Sequence, residues 1–210
     1  MPAPPVRRLR SEDELRAIIG QPLPLTCRKV VDRLDHLTRQ FVELSPLVML
    51  ATSDGAGNCD VSPRGDAPGF VRILDERTLL VPDRPGNRLA DALRNLLANP
   101  HCGLLFVIPG VTDTLRVNGA AWITDDAELL APSAVEGKAP RLGIVVEIDE
   151  AYTQCSKAFL RGHVWEPERF RSRDELPSNG AIFAAIVPDL DPVAYDEERA
   201  ARYGRREGFY

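Results

Sequence analysis

Cysteine and histidine are scarce in this sequence, and long apolar runs are missing altogether. The four cysteines, Cys27, Cys59, Cys102 and Cys155, lie far apart with no CxxC pair. None of the three histidines, His36, His101 and His163, sits at ligand spacing from them, so neither a zinc site nor a disulfide framework is indicated and no metal is expected. No apolar stretch approaches the roughly 20 residues of a membrane span, and the opening MPAPPVRRLR has no apolar centre of a secretion signal. A cytoplasmic location without a membrane partner is the expectation. Net charge is −5 with no basic run and no aromatic-basic stripe, so the electrostatic footprint of a nucleic-acid binder is missing. A hydrolase is not indicated either, because there is neither a GxSxG elbow nor a histidine placed beside a nucleophile.

What is present is a balance of 44% apolar and 27% charged residues over 210 positions, which suits one globular domain with decorated termini. The chain is organised around Thr78 to Pro109, TLLVPDRPGNRLADALRNLLANPHCGLLFVIP, whose pattern predicts strand, turn, helix, strand. Asn87 stands at a cap position, the helix is expected from about Arg88 to Leu97, and Leu89, Leu93, Leu96 and Leu97 fall on one face. Arg84 and Arg88 flank the helix entry, where free backbone N–H groups and the helix dipole favour an anion. The spacing alone fits a phosphate site and an ordinary connection with solvated arginines equally. Arg64 and Arg72 join them within one short region of an acidic chain, either reserved for a small anion or paired with Asp66, Asp75, Asp83 and Asp91, the latter reading applying to Arg72 above all.

In chain order, Ser11-Glu12-Asp13-Glu14 is a capping-box pattern for a short helix to Gly20, which Pro22 and Pro24 break. Val30, Val31, Leu34, Leu37 and Phe41 predict an amphipathic helix from Arg28 to about Leu44. LVMLAT, CDVSP, FVRIL, TLLV, the Gly103 to Ile108 run, TLRVNGAAWIT and RLGIVVEI read as strands, with SDGAGN a hairpin connection and residues 125–140 a loop or short helix. His101 reads as a strand-end residue and Trp122 as barrel packing. If Tyr152 to Trp165 is helical, Lys157, Arg161 and Trp165 share a face, and Cys155, two residues before Lys157, reads as an inert thiol rather than a reactive one. AIFAAIV, within Asn179 to Pro188, is apolar enough for an element buried against the body or a partner, and the last residues read as a solvated end with a helical Glu198 and Arg202 pair. Hairpin-linked strands with one inserted helix predict a mainly β, α+β fold: a closed antiparallel barrel with helices outside, rather than a parallel doubly wound sheet.

The motifs CDVSPRGDAPGFV, LLVPDRPGNRLADALRNLLANPHCGLLFVIPG and TLRVNGAAWIT, followed by QCSKAFLRGHVW, resemble the pyridoxamine 5′-phosphate oxidase-like flavin-binding split barrels over roughly Val30 to Trp165. The likeness is closest to a bacterial subgroup whose reaction is generally unassigned. It implies a homodimer holding FMN at the subunit interface and acting on a small molecule. It places Ser62 and Arg64 at the phosphate-facing strand end, Val81 and Pro82 beside the flavin ring edge, and Asn87 and Arg88 at the helix start. Arg84 adds a contact, Thr114 lies near the ring or ribityl chain, and Lys157 and Trp165 reach the flavin of the other subunit. Two departures stand out: Arg64 replaces the lysine of the oxidase itself, and no segment matches its C-terminal tryptophan and arginine, which puts the B6 oxidase activity itself in doubt. A non-catalytic flavin store or sensor, or a barrel using deazaflavin or haem, is the competing reading. The implied division is an extension over 1–27, the barrel domain over 28–170, and an extension over 171–210 that packs on the barrel or the dimer partner.

Overall fold

The computed structural model describes residues 7–210. Seven strands, β1 (Leu47–Ser53), β2 (Cys59–Gly65), β3 (Arg72–Ile73), β4 (Thr78–Asp83), β5 (His101–Val107), β6 (Thr114–Thr124) and β7 (Leu142–Gln154), form one sheet in the order β2-β1-β5-β6-β7-β4-β3. Every pairing is antiparallel. Three helices precede the sheet, α1 (Glu12–Ile19), α2 (Pro24–Arg28) and α3 (Thr38–Leu44). α4 (Asp91–Ala98) joins β4 to β5 and α5 (Ala127–Leu130) lies between β6 and β7, while α6 (Lys157–Gly162), α7 (Asn179–Ala184) and α8 (Pro192–Gly204) follow β7. This is the antiparallel, helix-flanked architecture that the hairpin-linked runs predict.

Period-two alternation builds the core. Val48 and Leu50 of β1, Leu104 and Phe106 of β5, Leu115 and Val117 of β6, and Ile144 and Val146 of β7 are buried in one cluster with Leu79 and Val81 of β4. The opposite face of β4 is also covered, because Leu80 and Val145 pack under Leu130 of α5. Arg72 holds that cover in place: its Nη1 donates to the Leu129 carbonyl at 2.6 Å, instead of pairing with a carboxylate. The sheet slips register between Asn118 and Gly119. Cys102 is buried in the core cluster, and burial pushes its thiol up to about 12. Cys27, Cys59 and Cys155 are exposed. A thiol-labelling time course on the native protein should therefore consume three thiols and release the fourth only on denaturation; fast labelling of all four would contradict the burial of Cys102.

Several expectations are corrected. Only Thr38–Leu44 of the stretch from Arg28 to Leu44 is helical after the short α2. Val31 instead exchanges both backbone hydrogen bonds with Ala151 of β7, Leu34 N donates to the Glu76 carbonyl, and the Asp35 carboxylate accepts from Leu37 N and Thr38 N at 2.8 Å, starting the helix there. Pro24, expected as a breaker, occupies the first turn of α2, where a missing N–H costs nothing. Trp122 does not pack inside: it is 48% exposed on β6. β7 continues to Gln154, and the helix after it ends at Gly162 with His163 left-handed, so Trp165 does not continue the face of Lys157 and Arg161. Its Nε1 donates to the Val111 carbonyl and its ring lies beside Phe159. α7 packs on α8 through Phe183 and Tyr195, with Ile186 and Val187 exposed on the single chain. The end of the chain is not a free solvated tail, since Tyr210 returns to Asp66.

Candidate functional site

β2 is an edge strand, and along it Ser62 and Arg64 alternate with the exposed Val61 and Pro63, so both turn to the same side. β4 ends at Asp83 and runs into Arg84-Pro85-Gly86. These two strand ends, the loop before α4 and the loop before β7 enclose a cavity of about 1250 Å³. β2 and β4 are not neighbours in the sheet, and their ends are joined by two crossed ion pairs. Arg64 Nη1 lies 2.6 Å from Asp83 Oδ1, and Arg84 Nε lies 2.7 Å from Asp66 Oδ2. Each strand end thus contributes one cation and one anion, and the exchange draws the curled sheet together at the mouth of the cavity. The Asp66 side chain is 4% exposed. Burial alone would raise its carboxyl, but donation from Ala67 N and from the Tyr210 hydroxyl, with the charge and hydrogen bond of Arg84, outweighs that and holds it below the usual range. The Tyr210 phenol is pushed up, first by its hydrogen bond to Asp66, then by burial and the Asp66 charge.

Three features leave donors unspent at this cavity. Ser62 Oγ and Arg64 Nε are buried with no hydrogen-bond partner among the described residues. α4 begins at the cavity with Ala90 at its N-cap in a left-handed conformation, which supplies no side-chain cap to the first turn. Arg88 also lines the cavity, at φ 64°, and among the described residues it makes no salt bridge. A donor set of hydroxyl, guanidinium and uncapped helix start matches an oxyanion such as a phosphate.

The cavity brings together Ser62, Arg64, Arg84, Asn87 and Arg88 of the residues singled out in the sequence. The expected helix start is corrected: α4 opens at Asp91, and Asn87 is not its cap, because Asn87 Oδ1 accepts from Leu89 N at 2.9 Å in a turn of its own. Leu89 and Leu97 are exposed, and Ala92 and Leu96 are the buried positions. Val81, Pro82, Thr114, Lys157 and Trp165 do not line the cavity of a single chain. Val81 and Thr114 are buried at 1% and 3% exposure, Pro82 is buried on β4, and Lys157 is exposed on α6. Sequence reasoning missed Tyr210, Lys138 and Arg141 as lining residues. A basic pair before β7 was the one available signal; nothing local marks Tyr210.

A family model described as pyridoxamine 5′-phosphate oxidase matches residues 34–155, more than half of the chain. The chain belongs to the pyridoxamine 5′-phosphate oxidase family. In this family the members bind flavin and are commonly dimers. The family match contains all seven strands and α4, and leaves α1, α2 and α6 to α8 outside it. Among solved structures the chain is similar to HupZ of Group A Streptococcus, at 17% identity over 57% of this chain and 93% of that one, with a TM-score of 0.48. It is also similar to HutZ, the haem storage protein of Vibrio cholerae, at 17% identity over 58% and 94%, TM-score 0.41. An FMN-binding protein of Syntrophomonas wolfei matches at 11% identity over 68% and 96%, TM-score 0.42. No curated protein matches the sequence. Among the described residues, no helix of this family member is long and apolar enough to cross a membrane, and no group of three His, Cys, Asp or Glu could hold a metal ion.

Proposed function

We propose that this protein is a cytoplasmic, homodimeric FMN-binding flavoprotein that acts as an oxidoreductase on a small molecule. The observation that carries the reading is the pair of buried donors, Ser62 Oγ and Arg64 Nε, without a partner among the described residues, at a cavity that is also lined by an uncapped helix start and by Arg88. Leaving such donors unsatisfied costs about 1–3 kcal/mol each, and a phosphate oxygen offsets that cost. Arg64 and Arg88 hold the phosphate by charge-assisted hydrogen bonds, Ser62 donates its hydroxyl, Arg84 adds its charge, and Asn87 fixes the turn that presents Arg88. Val81, Pro82 and Thr114 are assigned to the ring and ribityl end. Lys157 and Trp165, outside the cavity of one chain, are assigned to the flavin of the other subunit. The bound flavin supplies the hydride or electron exchange, so the protein's own task is to bind and orient it. None of the three histidines lines the cavity, which favours flavin over haem.

The test is reconstitution. Purified protein mixed with FMN and dialysed should keep a flavin absorbance spectrum and quench flavin fluorescence. Retention of haem or a deazaflavin in preference to FMN, or of nothing, would overturn the assignment, and steady NAD(P)H consumption with an acceptor separates an enzyme from a flavin store.

A further inference from the structure

The segment Arg206–Tyr210 turns back on α8 through left-handed Arg206 and Gly208 and ends against the anion site. It lies outside the family match. The Tyr210 hydroxyl donates to Asp66 Oδ1 at 2.9 Å. Two guanidinium groups lie over its ring, that of Arg84 at 5.4 Å and that of Arg206 at 5.8 Å. The segment is also tied to the loop before β7, with Lys138 Nζ donating to the main-chain oxygen of Tyr210 at 3.4 Å and Arg206 3.6 Å from Glu136. Gly208 and Tyr210 line the same cavity as Ser62 and Arg64.

We propose that Arg206–Tyr210 is a strap laid over Arg84 at the edge of the anion site, which a phosphate must displace in order to use that guanidinium. This rests on the flavin reading for the identity of the ligand, but not for the geometry. Arg84 has its Nε on Asp66 and its face against Tyr210, and its side chain is only 16% exposed. A phosphate that uses Arg84 must first loosen the phenol from that face. The hydrogen bond from Tyr210 to Asp66 is charge-assisted, so removing it should shift the exchange measurably.

The experiment compares wild type with Tyr210→Ala and Tyr210→Phe by stopped-flow FMN fluorescence, with circular dichroism melts to establish folding. Tyr210→Ala, which removes both the hydrogen bond to Asp66 and the ring over Arg84, should take up FMN about tenfold faster and bind it tighter. Tyr210→Phe, which keeps the ring and loses the hydroxyl, should fall between. Unchanged or slower uptake, or weaker binding, in both variants overturns the strap and makes Tyr210 a plain wall of the pocket. If neither wild type nor variants take up FMN, the flavin reading fails, and the strap is then judged with inorganic phosphate as the probe: faster amide exchange at Gly208–Tyr210 on adding phosphate supports it, and identical exchange overturns it.

Discussion

Arg88→Ala is expected to weaken FMN binding by about 10- to 150-fold, the equivalent of one charge-assisted hydrogen bond at roughly 1.5–3 kcal/mol. This substitution is the cleanest at the site. Arg88 makes no salt bridge among the described residues, so no carboxylate is left unpaired, and alanine tolerates the left-handed φ of 64° no better and no worse than arginine. Arg64→Ala should lose at least as much flavin but should also destabilise the apoprotein, because it strands the half-buried Asp83 and unties β2 from β4. Arg33→Ala, which removes an exposed side chain beside Asp32, should change neither property. Flavin fluorescence titration gives the affinities and denaturant melts give the stabilities. Equal affinity in Arg88→Ala and Arg33→Ala would remove Arg88 from the site.

The second large effect concerns the sheet itself. Gly119→Ala should destabilise the protein by about 1–3 kcal/mol or more, because a Cβ at this register slip runs into the backbone carbonyl of Glu147 and lies 2.9 Å from its carbonyl carbon. The obstacle is main chain of β7, paired on both sides, and cannot swing away as a side chain would. β6 and β7 are the longest strands and carry the inner-face residues Leu115, Val117, Ile144 and Val146, so a forced shift there is felt through the core. Gly55→Ala, with nothing within 4 Å of the added carbon, is the matched control and should fall within about 0.5 kcal/mol of wild type. A urea midpoint for Gly119→Ala equal to that of Gly55→Ala would show that the slip relaxes.

The strands were legible because alternating burial and turn residues are local signals, and the same holds for the hairpin at Asp54 to Asn58 and the β5 to β6 connection. The segment before α3 was not. Val30, Val31 and Leu34 repeat at helical spacing, yet Val31 finds in Ala151 a backbone partner that no periodicity reveals. Trp122 misled for a related reason: an aromatic on a strand suits either face, and only the finished sheet decides which one is open. At the site, the basic character around Arg84 and Arg88 and the serine and arginine of β2 could be read from the residues. Pairing of these arginines with Asp66 and Asp83 was one of the two readings the residues left open, but which arginine meets which aspartate was not legible, since Arg64 meets Asp83 across 19 positions and Arg84 meets Asp66 across 18, and both need the sheet to curl first. Tyr210 lies 144 positions from Asp66, beyond any local pattern.

The proposed site sets the phosphate end of FMN between the end of β2 and the start of α4. Parallel titrations with FMN and with riboflavin, which lacks the phosphate, test it most directly. FMN is expected to bind at least about 100-fold tighter than riboflavin, from two or more charge-assisted hydrogen bonds, with most of the gap lost in the Arg64→Ala/Arg88→Ala double variant. Equal affinity for the two flavins, or a gap that survives loss of both arginines, would contradict it.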